Sequence, residues 1–294
     1  MIEIELLFLR FCAVEEFEFA GTKMHLIASY CQTMTDVRQG LSRARQVVTV
    51  CGFFLLGASP AIVLQGFGAS LSTSAIADAF VAAGPTGNLA DNNYGGGGAL
   101  AVAAGALPNG EFQSVIQFDL SSVRSSLDAQ FGAGQWSIQS VSLQLSSSPH
   151  SNVIYNNIAA GLFGVSLMQN NSWIEGTGNA SSPTSDGITY NTLQNTYINN
   201  AADQVLGTFS FPGGSSGVNN YSLSLSPGLI ADVLAGSDAS LRLFAADNTV
   251  SYLFSSRAMV TGPPQLIVTA VPEPGSLALV GLAGALLLLR RHHS

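Results

Sequence analysis

The stretch SVIQFDL, residues 114–120, alternates apolar and polar side chains. In an extended chain Ile116 and Phe118 point to one face, whereas Gln117 and Asp119 point to the other. A period of two is typical of a β-strand that packs one face on a core and leaves the other face in water. The stretch therefore predicts one strand of an antiparallel sheet, with Ile116 and Phe118 in the core.

Similar short stretches, separated by Gly, Ser, Asn and Pro, fill the region 72–270. The further candidate strands are IADAFV (76–81), ALAVAA (99–104), SVSLQL (140–145), GLFGVSLM (161–168), QVLGTFSF (204–211), YSLSL (221–225), SLRLF (240–244) and PQLIVTA (264–270). Two segments favour helices: one begins at Ser121, and the other has Ser226 as its N-cap, Pro227 in its first turn and Gly236 at its end. About nine antiparallel strands with one or two short helices predict an all-β fold, most simply a jelly-roll β-sandwich.

Charge and cysteine usage exclude several functions for this region of the 294-residue chain. Over residues 72–270 three arginines stand against eleven acidic residues, hence a formal charge of −8, so we predict no nucleic-acid partner. Every cysteine precedes residue 52, and His150 is the one histidine of the region 72–270. These counts exclude thiolate and multi-histidine metal sites there.

The N-terminal part of the chain contains a candidate secretion signal. Residues 1–33 have no persistent periodicity, and we interpret them as an over-extended N-terminus, with Met34 or Met24 as the true start. Arginines precede a short apolar run at 47–58, which is typical of a signal peptide. We therefore predict a signal peptide over 34–71, recognised by the general secretion machinery and cut by signal peptidase between residues 66 and 75. An uncleaved N-terminal anchor is the alternative.

The C-terminal segment 271–294 has three consecutive parts. Val271, Pro272, Glu273 and Pro274 come first, an apolar run at 277–289 follows, and two arginines come next. We expect this run to form a C-terminal apolar helix, although it is shorter than the roughly 20 residues that span a bilayer. Arginines before the first apolar run and after the last one place both outer ends in the cytoplasm, and so predict that everything between is exported.

A family resemblance covers the region 72–270. The segments that carry it, in order, are ADAFVAAGPTGNLADNNYGGGGALAV (77–102), QSVIQFDLSSV (113–123), SVSLQLSSS (140–148), NSWIEGTGN (171–179), GITYNTL (187–193) and YLFSSRAMVTGPPQLIVTA (252–270). Together they resemble a DNRLRE-type domain, although Ala258 stands where that family usually has an acidic residue. The resemblance implies a jelly roll related to carbohydrate-binding modules, on a secreted or surface bacterial protein.

The tail resembles a PEP-CTERM sorting signal, also labelled the ice-binding protein C-terminal motif. The resemblance rests on the Pro-Glu-Pro of residues 272–274, the apolar run, and Arg290 with Arg291 at the end. It implies recognition by exosortase in the inner membrane of a Gram-negative bacterium, with processing near Pro272 to Pro274. The tail would then be a transient membrane anchor, and the domain would reach the cell surface or extracellular matrix.

Sugar binding uses exposed aromatic faces beside a few polar groups. Trp173, Tyr190 and Asn191 lie in loop-like sequence rich in Asn and Thr and are the first candidates. The alternative for Trp173 is a packing role, because large aromatic side chains are mostly buried. Arg257 either faces an anionic sugar or forms an internal ion pair with Asp119 or Glu175, and we expect the ion pair.

Calcium is the one metal that the composition permits, and we expect no other cofactor. Asp78, Asp91 and Asn92 are its candidate ligands, although ordinary solvated turns are the alternative. The sequence predicts no catalytic residue, because a glycosidase needs two carboxylates at a set separation and none is defined by spacing. We therefore predict a non-enzymatic exported protein that binds polysaccharide. The alternatives are a secreted polysaccharide lyase or hydrolase, and a structural matrix protein without a ligand.

Overall fold

A computed structural model of the protein describes residues 68–84, 89–148, 158–214, 217–260 and 262–273. All of them belong to the second of the two units into which the chain divides, Leu64–Ser294. The predictions that lie outside the described residues are the over-extended N-terminus, the signal peptide up to residue 67, the C-terminal apolar helix, His150, Pro274, Arg290 and Arg291.

The described residues form mostly β-structure, as the alternating pattern predicts. The strands are β1 (Ala69–Ala83), β2 (Ala99–Ala103), β3 (Glu111–Asp119), β4 (Trp136–Ser146), β5 (Gly161–Met168), β6 (Gln204–Phe211), β7 (Val218–Leu223), β8 (Asp238–Ala245), β9 (Ser251–Ser255) and β10 (Gln265–Pro272). The helices are α1 (Ser121–Phe131), the single turn α2 (Tyr190–Thr192) and α3 (Pro227–Ala235). A π-helical turn, Leu193–Tyr197, directly continues α2.

The strands are antiparallel and follow the order β6-β5-β8-β3-β1-β10-β4-β7, with β2 pairing to β3 and β9. Strand β1 belongs to two parts of this arrangement. Its first half, Ala69 to Ser74, pairs with β10, and its second half pairs with β3 after a bulge between Ala75 and Ala77. A bulge bends a strand, so β1 joins the two layers of strands.

The main hydrophobic core contains the apolar faces that the sequence predicts. Ile116 and Phe118 of β3 are completely buried, and so are the alternate residues of β4, β8 and β10. These other residues are Val141, Leu143, Leu145, Leu241, Leu243, Leu266 and Val268. Leu225, predicted to extend the alternation of its strand, is instead 37% exposed, because β7 ends at Leu223.

The two longer helices begin and end as predicted. The Ser226 side chain accepts a hydrogen bond from the Leu229 amide at the start of α3, and Gly236 ends that helix in the left-handed conformation at φ 65°. Glycine adopts this conformation without steric cost, which explains the residue at this position. Within the described ranges, no helix is both long and apolar enough to cross a bilayer.

One expectation for β3 is wrong. Gln117, predicted to face water, is only 7% exposed, and its side-chain amide donates to the Asn171 carbonyl at 2.9 Å. The reason is the connection 169–203 between β5 and β6, which covers the outer face of this part of the sheet. A second hydrophobic cluster lies beneath the connection and consists of Ala79, Val81, Val115, Met168, Trp173, Ile188 and Leu193.

Candidate functional site

The candidate site is built on the connection 169–203, which one buried side chain fixes to the sheet. Asn93 is completely buried, and its amide nitrogen donates to the carbonyls of Glu175 at 2.6 Å and Ile188 at 2.8 Å. Its side-chain oxygen accepts from the amides of Gly95 and Gly178, both at 3.1 Å. One side chain therefore uses both of its polar atoms to hold distant parts of the connection in place.

Gly176 shows how closely the backbone approaches Asn93. It has φ 77°, and a Cβ atom there would lie 2.3 Å from the side-chain oxygen of Asn93. A larger residue would displace Asn93, so this position requires glycine. The Trp-x-Glu-Gly segment is therefore explained locally: Trp173 packs, Glu175 contributes its carbonyl, and Gly176 leaves room for Asn93.

Trp173 has the packing role considered as an alternative from the sequence. Its side chain is 4% exposed and belongs to the second hydrophobic cluster. The indole N–H donates to the Ser240 hydroxyl at 2.9 Å, which satisfies its only polar group. A ring buried on both faces offers no surface to a sugar, so we leave Trp173 out of the site.

Arg257 forms the expected internal ion pair. Its Nε donates to Glu175 Oε1 at 2.8 Å and its Nη2 donates to Glu175 Oε2, so the pair is bidentate. Asp119, the other partner considered, instead accepts from the Ser121 amide at 2.8 Å at the start of α1. The backbone N–H of Arg257 donates to Asp78 Oδ2 at 2.5 Å, which brings a calcium candidate into the same cluster.

Asp78 is 1% exposed, and its Oδ1 has no hydrogen-bond partner among the described residues. Burial raises its pKa from 3.8 to about 7, against the lowering effect of the hydrogen bond from the Arg257 amide. The backbone N–H of Asp78 donates to Glu175 Oε1 at 3.2 Å. The fold thus places a buried carboxyl with a raised pKa next to the bidentate ion pair of Arg257 and Glu175.

The other two calcium candidates make different contacts. Asp91 accepts from the Asn191 side chain at 2.6 Å, and Asn92 donates to the Tyr94 hydroxyl at 3.3 Å. In the part of the chain that the structure describes, no three Asp, Glu, His or Cys side chains group as they would around a metal ion. Calcium binding by Asp78, Asp91 and Asn92 stays a prediction.

Tyr190 and Asn191 begin the turn α2, which a reciprocal pair of threonines caps. The Thr189 hydroxyl accepts from the Thr192 amide, and the Thr192 hydroxyl accepts from the Thr189 amide. The Tyr190 hydroxyl donates to Glu111 Oε2 at 2.8 Å, and burial together with this carboxylate raises the pKa of Tyr190 to about 12. The Tyr190 side chain is half-buried and packs against the second hydrophobic cluster.

A cleft that sequence reasoning missed lies where the two ends of the connection meet. It has a volume of about 610 Å³ and is open to solvent. We call it the amide cleft; its lining residues are Gln169, Asn170, Asn171, Ser172, Thr196, Tyr197 and Asn199. Each of them carries a neutral hydrogen-bonding side chain, and one of them adds an aromatic ring. The signal in the sequence was the asparagine-rich pair QNNS (169–172) and NTYINN (195–200).

Asp203 holds the two rims of the amide cleft together. Its Oδ1 accepts from the Gln169 amide at 2.9 Å, and its Oδ2 accepts from the Asn199 amide at 3.0 Å. Asn171 is fixed by its side-chain amide, which donates to the Asp238 carbonyl at 2.8 Å. Its side-chain oxygen is buried without a hydrogen-bond partner among the described residues.

Four carboxylates that could be considered for a hydrolase, Asp119, Glu175, Asp186 and Asp247, each make local hydrogen bonds or an ion pair. Glu175 pairs with Arg257, and Asp119 binds the start of α1. Asp186 accepts from the hydroxyls of two threonines, which lower its pKa to about 2. Asp247 accepts from the amides of residues 162, 249 and 250. None of these four lines the amide cleft.

Three residues of the predicted sorting motif lie at the end of the described residues. Val271 and Pro272 are the last residues of β10 and pair with Ser137 and Trp136 of β4. The Glu273 amide then donates to the Gln135 carbonyl at 2.9 Å. The Pro-Glu-Pro sequence therefore starts directly on the last strand, without an intervening linker.

Comparison with known proteins assigns no family. No protein-family model matches the chain, and no curated protein matches it either. The site must therefore be interpreted from its own residues.

Proposed function

We propose that this protein is exported and that its β domain binds carbohydrate in the amide cleft, at the cell surface or in the extracellular matrix. The observation that carries the binding proposal is the lining of the cleft. Sugar hydroxyls donate and accept hydrogen bonds, and asparagine, glutamine, serine and threonine side chains do both. The Tyr197 ring adds an apolar face, which the C–H surface of a pyranose requires.

The size of the cleft also supports a small ligand or a short segment of a polymer. Its volume of about 610 Å³ lies within the range of roughly 300 to 1,000 Å³ typical of ligand sites. Because Asp203 binds the amides of both rims, the walls are set before a ligand arrives. A preformed site avoids part of the entropic cost of binding.

The finer fold assignment is a jelly roll of the kind found in carbohydrate-binding modules and DNRLRE-type domains. The strand order supports it: β1-β10-β4-β7 and β3-β8-β5-β6 are the two rows that interleaved Greek keys give when the first and last strands are neighbours. Fold alone does not imply function. The amide cleft therefore remains the main argument for carbohydrate.

Export and sorting form the second part of the proposal. The segment 34–71 and the three-part tail support secretion, a transient membrane anchor and processing by exosortase. Mass spectrometry of the surface-exposed protein should then find no peptide from Leu277 onward. An intact C-terminus on mature protein would refute the processing step.

A glycan array tests the binding proposal. We expect the full-length protein to bind at least one polysaccharide, measured with and without calcium. If it binds none under either condition, the binding proposal is refuted and a structural matrix protein is the better description. Release of soluble products that stops in Glu175→Gln or Asp119→Asn would instead identify a polysaccharide lyase or hydrolase.

A further inference from the structure

The amide cleft contains no side chain that could bind an anionic sugar through a full charge. Its seven lining residues are all neutral. The carboxylate of Asp203 binds both rims, and it interacts with Arg242 rather than with a ligand. A uronate in the cleft would therefore find no opposite charge among the lining residues.

Two of the three arginines in the described residues are committed elsewhere. Arg124 pairs with Asp128 at 3.4 Å and donates to a carbonyl at the end of α3. Arg257 is bidentate with Glu175. Each of these guanidinium groups already has its counter-ion, so binding an anionic polymer would require breaking an ion pair.

The third arginine is also held within the domain. The Arg242 guanidinium lies over the Phe244 ring, 4.5 Å from its centroid, and interacts electrostatically with Asp203 and Glu111. The region 72–270 has a formal charge of −8. Long-range repulsion would therefore keep polyanions away even before they reach the cleft.

We infer that the amide cleft selects neutral polysaccharides and rejects uronate-containing ones. This inference rests on the proposed carbohydrate binding and adds the chemical class of the ligand. A neutral polysaccharide is not repelled by the negative charge of the domain, and its hydroxyls can form hydrogen bonds with donors and acceptors along both rims. A uronate chain brings a carboxylate to a site whose lining holds no cation, in a domain that is negatively charged.

The test compares neutral β-glucan and galactomannan with alginate and polygalacturonate, using the full-length protein at low salt. We expect affinity for the best neutral polymer to exceed that for either uronate polymer by at least about tenfold. The same ratio should hold with added calcium. A uronate polymer that binds equally well or better, with or without calcium, overturns the inference and leaves the proposed function standing. If none of the four polymers binds and the glycan array is also negative, both the inference and the proposed carbohydrate binding are refuted.

A charge-adding variant tests the reason for the selectivity. Thr196 is exposed on the rim of the amide cleft and makes no side-chain hydrogen bond in the structure, so Thr196→Lys adds a cation at little structural cost. We expect alginate binding to appear or to rise several-fold, and to fall again at high salt. The matched control is Val218→Lys, which places the same charge on an exposed position of β7. Equal gains in both variants, or no gain in Thr196→Lys, would contradict the assignment to the cleft.

Discussion

Asp78 is the residue whose ionisation the fold opposes most clearly. It is buried, one of its oxygens has no partner, and the neighbouring Glu175 adds negative charge. Burial raises its pKa to about 7, whereas an unfolded chain would titrate at 3.8. Because the folded state holds this proton more tightly, the contribution of Asp78 to stability is largest below pH 3.8 and is lost as the pH rises to about 7.

The substitution Asp78→Asn tests this dependence. We expect the wild type to lose stability relative to the variant between pH 5 and pH 7, by on the order of 1.4 kcal/mol per unit of pH, and the difference to level off above pH 7. Urea unfolding at several pH values measures the difference. Asp119→Asn is the control, because its hydrogen bonds with Ser121 lower the pKa of Asp119 and keep it ionised over this range. Parallel pH profiles for the wild type and Asp78→Asn would contradict the account.

Asn93 supports the connection 169–203, so its loss should be costly. In Asn93→Ala the carbonyls of Glu175 and Ile188 and the amides of Gly95 and Gly178 lose their partner. We expect the free energy of unfolding to fall by about 3 kcal/mol or more, since several buried polar groups become unsatisfied. Thermal unfolding measures this loss. Asn92→Ala, which removes one longer hydrogen bond, should cost less than about 1 kcal/mol.

At the scale of residues, the sequence predicted the ion pair of Arg257 but not the role of Asn93. The scarcity of basic residues was enough to predict that Arg257 would find a carboxylate, and Glu175 is that partner. Asn93 could not be predicted, because the stretch NNYGGGG has the composition of any loop and three of its four partners are more than 80 residues away along the chain. Tyr190 and Asn191, proposed from the sequence to bind sugar, contact Glu111 and Asp91 in the structure, and their sugar binding stays a prediction.

At the scale of elements, alternation was a good guide to the inward faces of the strands. It failed where a face is covered from outside, as at Gln117, because alternation records polarity and not what a distant loop packs against. It also missed β9, in which every residue from Ser251 to Ser255 is buried. A short strand buried on both faces shows no period of two.

The pairing of β1 with β10 limits where the signal peptide can be cut without loss of sheet structure. Ala69 and Ser70 pair with Ala270 and Thr269 of β10, so a cut within β1 would remove part of this ladder. We expect signal peptidase to cut at or before Ala69, and the small residues Gly66 and Gly68 suit a cut just ahead of it. N-terminal sequencing of the exported protein measures the site. A folded mature protein that begins at Ala75 would contradict this prediction.

At the scale of the whole molecule, the chain carries its proposed export and sorting signals at its ends and its proposed binding site in one long connection. The strands supply a rigid support, and the connection 169–203 adds the amide cleft on top of it. The sequence pattern predicted the sheet because buried and less buried residues alternate along several of its strands, such as β4 and β10. The cleft depends on how residues 169–172 and 196–199 meet in space, which no local pattern records.

The central claim is that the amide cleft binds carbohydrate, and a pair of tyrosine variants tests it most directly. Tyr197 lines the cleft, whereas Tyr190 does not, and both rings pack partly against the same second hydrophobic cluster. Calorimetric titration with the best neutral polysaccharide should show affinity reduced by at least about tenfold in Tyr197→Ala and little changed in Tyr190→Ala, with thermal unfolding confirming that both variants fold. Unchanged affinity in Tyr197→Ala, or a loss confined to Tyr190→Ala, would contradict the account.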